Sequence, residues 1–150
     1  MVQRSNPARV AGETVVTVAR AVAIVFLAVG VLGFIPGITT NYDAMEFAGP
    51  ESGAKLLGIF GVSILHNIVH LLFGVAGLAL SRTVSGARAF LIGGGAIYAV
   101  LWLYGLLVDV ASDVNFVPFN NADNWLHLVL AVAMLGLGAY FARARTTRAD

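Results

Sequence analysis

Four stretches of this chain are too long and too apolar to leave many folds open. They run over residues 15–35, 56–80, 89–108 and 125–142, and each is nearly free of charge through its middle. A helix that crosses a hydrocarbon core of ~30 Å needs roughly 20 mostly apolar residues. With their flanks, the four segments predict helices over residues 15–36, 54–80, 87–109 and 122–143. None shows the polar face that a helix of a soluble bundle would turn to water. Composition points the same way: 59% of the residues are hydrophobic and 11% charged, against about a quarter charged in an ordinary soluble domain. The expected fold is all-α, a four-helix transmembrane bundle forming one integral membrane domain over residues 1–150. The first segment is not read as a cleaved leader, because its basic flank is long and no small-residue cleavage site follows it.

Arginine placement sets the expected orientation. Arg4, Arg9 and Arg20 precede or open the first segment, Arg82 and Arg88 lie between the second and third, and Arg143, Arg145 and Arg148 follow the fourth. The other two links carry Asp43, Glu46, Glu51, Asp109, Asp113 and Asp123. Basic loops stay on the cytoplasmic side, so both termini are expected there, in a bacterial inner (cell) membrane. The basic ends read as a rim on anionic lipid headgroups and not as a nucleic-acid surface. The arginine bias, with Lys55 the single lysine, fits a GC-rich bacterial genome. Cysteine is absent, which removes disulfides, thiolate metal sites and catalytic thiols. No internal repeat shows in the sequence.

The polar residues inside these segments carry the functional question. In "SILHNIVHLLFG" the second segment places Ser63, Asn67, His70, Gly74 and Gly77 at spacings of four and three, one helical face, with His66 beside it. The fourth segment opens with "NNADNWLH", where Asn121, Asn124 and His127 share a face, and Asn121, Ala122 and Asp123 read as its N-cap region. Tyr98, Trp102 and Tyr104 are the polar-tipped side chains of the third. Polar groups inside a membrane face protein or a cavity, and ionisable ones are functional candidates. The candidate cluster is His66, Asn67, His70, Tyr98, Asn124 and His127. On this reading the second helix packs against the fourth, its Asn67/His70 face inward, and Asn124 and His127 meet that stripe.

The chemistry open to such a cluster is narrow. His66 and His70, four apart, can present two nitrogens to a metal ion, but Asn67, Ile68 and Val69 stand between them, so the glutamate of a zincin helix is missing. A helix starting near residue 56 puts His66 about 15 Å and His70 about 21 Å deep, against about 3–6 Å for His127. That mismatch of ~10 Å argues against a third metal ligand or a bis-histidine haem. No carboxylate lies within a helix core, and no serine has a histidine–aspartate partner. Gly93, Gly94 and Gly95 lack the strand–turn–helix setting of a phosphate loop and read as tight packing or a kink. An enzyme is therefore not expected.

Together, "LHNIVHLLFGVAGLA", the arginine-bearing turn after it, the glycine-rich third segment with Tyr98 and Gly105, and "NNADNWLHLVLA" resemble the DUF4383 family over residues 15–142. That resemblance implies a small four-helix bacterial membrane protein, of a kind common in actinobacteria, with no assigned activity. It assigns no site residue. Two functional expectations follow from the residues. In one, the protein is a non-catalytic accessory or interaction subunit, its partners the bilayer and other membrane subunits or itself, and the histidines are hydrogen-bonding glue between helices. In the other, the His/Asn cluster between the second and fourth helices binds a metal, haem or small ligand, or conducts protons.

Overall fold

The computed structural model describes residues 7–109, 111–112 and 114–146. Within them lie four helices: α1 (Pro7–Leu32), α2 (Ile64–Leu80), α3 (Val84–Leu107) and α4 (Asn121–Thr146). The all-α four-helix expectation holds. The core is apolar, as in a soluble bundle, but much of the outer surface is apolar too. Val15, Ala19, Ala23 and Leu91 are wholly buried, while Val25, Leu72, Val100 and Val132 are each more than half exposed. Apolar side chains on the outer surface suit hydrocarbon, not water. Helices α1, α3 and α4 have the length and composition to cross a membrane. Arg9, Arg20, Arg82, Arg88 and Arg143 stand towards one end and Asp43, Glu46, Glu51, Asp109 and Asp123 towards the other. Arg4, Asp113 and Arg148 lie outside the described residues.

The second helix differs from expectation. It starts at Ile64, not near residue 54, and has 17 residues. The apolar run before it folds into a small antiparallel sheet of β1 (Thr39–Thr40), β2 (Lys55–Leu56) and β3 (Phe60–Gly61), with β2 in the middle. Leu57 and Gly58 both take positive φ in the β2–β3 turn, a conformation no helix passes through. The helix then opens on Ser63, whose hydroxyl accepts from His66 N at 3.1 Å, while the carbonyls of Glu46 and Phe47 accept from Ile64 N and Leu65 N. These bonds satisfy donors that a helix start leaves free. After Asn41 the link makes a single 3-10 turn, Tyr42–Ala44.

The first helix begins at Pro7, earlier than expected; its end at Leu32 is sealed by the buried Thr39 hydroxyl, which donates to Leu32 O and Gly33 O at 3.1 Å. The fourth is capped by Asn120, one residue before the expected region: Asn120 Oδ1 accepts from Asp123 N, and Asp123 Oδ2 accepts from Asn120 N. This reciprocal pair is a capping box with Asp in the usual Glu place.

Helix pairing also departs from expectation. α1 packs along α2, and α3 along α4, as two hairpins; α1 meets α3 in the middle, and α2 does not pack directly on α4. The glycines explain the tight pairs. A Cβ on Gly74 would stand 2.8 Å from Ala23 O, and one on Gly95 2.8 Å from Leu135 N. α3 runs unbroken through Gly93, Gly94 and Gly95, so they make no kink; Gly94 and Gly95 serve close packing, while Gly93 faces open space.

Candidate ligand-binding site

The late start of α2 rearranges the polar residues in depth. His66 sits in the first turn of α2, and His70 is six residues into it, as His127 is into α4. By rise per residue both stand about 9 Å from their helix starts. The expected depth mismatch is gone.

His66, His70, Tyr98 and His127 line one cavity of about 220 Å³ between α2, α3 and α4. Its remaining wall is apolar: Leu65, Val69, Leu101, Phe116, Val117 and Phe119. The last three come from the 108–120 link between α3 and α4. Asn115 holds that wall in place, its Oδ1 accepting from Phe119 N at 3.3 Å and its Nδ2 donating to Phe119 O at 3.4 Å. Phe119 thereby stands edge-on to His127, ring centroids 4.7 Å apart. The signal in the sequence was "NFVPF", an apolar run too short to span anything yet too apolar for a free loop.

The rings are tightly ordered. His66 and His70 stack at 4.3 Å, 15° from parallel. His70 lies 5.7 Å from Phe26, and His127 5.3 Å from Tyr98. His70 Nδ1 is 3.0 Å from His66 O. A carbonyl only accepts, so Nδ1 carries the proton and, in the neutral ring, Nε2 is a bare acceptor. His66 is 7% exposed and His127 4%, and Nδ1 of each is buried with no hydrogen-bond partner among the described residues. Each such group costs about 1–3 kcal/mol. Lone pairs in stacked rings run side by side and do not converge on one point. Among the described residues no three of His, Cys, Asp or Glu gather as a metal-holding group.

The two asparagines go elsewhere. Asn67, 0% exposed, turns to α1, where a Cβ on Gly33 would overlap its amide; its Nδ2 reaches Met45 Sδ at 3.9 Å. Asn124 faces α3 at Gly105 in the same way. The structure thus brings four of the six candidates together and places the asparagines in the hairpin interfaces.

The family model described as a domain of unknown function, DUF4383, matches residues 17–140. No curated protein and no solved structure matches the chain.

Proposed function

We propose, from the premise that the chain belongs to the DUF4383 family, that it is a non-enzymatic bacterial cell-membrane protein holding a small molecule between its hairpins. His66, His70, His127 and Tyr98 would supply the hydrogen bonds, and the apolar wall the rest. The arginine-bearing end, with both termini, faces the cytoplasm. The observation that carries the reading is one cavity walled by His66, His70, Tyr98 and His127, two of which hold a buried Nδ1 with no partner among the described residues. Histidines acting only as glue, in an accessory or interaction subunit, would be satisfied by neighbouring helices; these two nitrogens are not. A cavity of about 220 Å³ lies below the roughly 300–1,000 Å³ of drug-sized sites, so a small ring or the head of a longer lipophile suits it and a porphyrin does not.

The test is chemical. The full chain is purified from native membranes in mild detergent, extracted with solvent and analysed by mass spectrometry. A small molecule near one per chain is expected, depleted about tenfold or more in His127→Phe. Equal amounts in wild type and variant would refute the site.

A further inference from the structure

The two hairpins repeat each other residue by residue. The step from Ser63 to Asn120 is 57 residues, and so are those from Asn67 to Asn124, His70 to His127 and Gly74 to Ala131. In the partner helices, Ala23 to Gly95, Phe26 to Tyr98 and Gly33 to Gly105 are each 72. Contacts follow the same steps. Ser63 caps the N–H three residues on, and so does Asn120. Asn67 lies on Gly33 as Asn124 lies on Gly105, and Ala23 meets Gly74 as Gly95 meets Ala131. His70 tilts 49° to Phe26, and His127 tilts 52° to Tyr98. Burial follows too: His66, Asn67, Gly74 and Gly77 map onto buried Asp123, Asn124, Ala131 and Met134.

Phe26 and its counterpart Tyr98 stack on each other at 5.4 Å, 17° from parallel. Helices α1 and α3 thus meet at equivalent residues, the self-complementary contact that two copies make across a twofold axis, and such an axis would pass between these rings. Such an axis creates two equivalent clefts. One lies beside Leu101, His66 and Tyr98 and is the cavity. In the other, Val29 stands for Leu101 and Asp123 for His66. That cleft is filled: Val29 packs under Leu56 and Val62 of the sheet region, and Asp123 Oδ2 accepts from Gly61 N at 2.9 Å.

We infer that the bundle is one hairpin used twice, that the sheet plugs one of its two clefts, and that the other binds a lipophilic alcohol or phenol between His70 of one half and His127 of the other. This rests on the proposed cavity function and names its ligand class. The bare Nε2 of His70 calls for a donor. A hydroxyl donates there and still accepts from Tyr98 or a protonated ring nitrogen of His127; a ketone has no hydrogen to give, and a carboxylate would meet an acceptor.

The test uses the full chain in nanodiscs and 1-naphthol, read by its fluorescence against protein-free nanodiscs, with naphthalene as the partner lacking the hydroxyl. One naphthol per chain is expected. Loss of the hydroxyl, His70→Phe and His127→Phe should each weaken binding about tenfold, the net worth of one hydrogen bond. The naphthalene comparison needs no variant and stands even if a variant fails to fold. Two sites per chain would overturn the plugged cleft; equal binding of naphthalene, or sensitivity to only one of the two histidines, would overturn the shared hydroxyl site. Absence of saturable naphthol binding, with a native small molecule still co-purifying, would overturn the ligand class and leave the cavity function standing.

Discussion

Asn67 and His70 are three residues apart, and that small interval separates two tasks. Three residues turn a helix through about 300°, leaving the two side chains about 60° apart. In α2 that is enough to send Asn67 onto Gly33 and His70 onto the cavity. The glycine is required because a methyl there would overlap the amide, and Gly105 is required under Asn124 for the same reason. Gly33→Ala and Gly105→Ala should each destabilise by about 1–3 kcal/mol, the usual cost of overpacking. Gly93→Ala, where a Cβ meets nothing within 4 Å, should be neutral or gain the ~0.5–1 kcal/mol that alanine offers in a helix. Thermal unfolding in detergent checks all three; an equal loss at Gly93 would break the argument. The polarity of the His/Asn stripe was legible in the sequence, and so was its need for shelter from lipid. Which neighbour each residue faces was not, because spacing fixes angles within a helix and says nothing of where the next helix stands.

The α2 start shows how one element boundary changes a chemical conclusion. Residues 54–63 are as apolar as the helix behind them, and a short apolar run does not distinguish strand from helix. The deciding features were Gly58, Gly61 and Ser63: a left-handed turn, a close approach to Pro118 O, and an N-cap. With the start moved to Ile64, His70 and His127 come to one depth, and His66 stands one turn nearer the start of α2. The N-terminus of α4 is fixed to the sheet by the same economy, since the buried Asp123 carboxylate takes both Asn120 N and Gly61 N. Asp123→Ala removes a cap and strands the Gly61 donor, at about 1–3 kcal/mol. It should lower the melting temperature and speed amide exchange at Gly61 in hydrogen-exchange mass spectrometry; unchanged exchange there would show that Asp123 does not hold the sheet.

At the scale of the molecule, the apolar exterior and the sorting of charge were both readable from composition and pattern. The internal repeat was not. Its halves share few identical residues, a glycine–alanine contact is swapped between them, and among the described residues one link carries a sheet and the other does not. The orientation proposed from the arginines is open to labelling, since the chain has no cysteine. A Glu51→Cys variant should react with an impermeant maleimide on intact cells, and a Ser85→Cys variant only after permeabilisation; the opposite pattern would invert the protein. The central claim is that histidines of both hairpins share one ligand cavity. The chain holds three histidines, so nitrogen-15 histidine labelling gives an imidazole spectrum with three residues to assign. On titration with 1-naphthol in nanodiscs, the ring signals of His66, His70 and His127 should all shift along one saturation curve. Shifts confined to α2, with His127 unmoved, would contradict a site shared between the two halves.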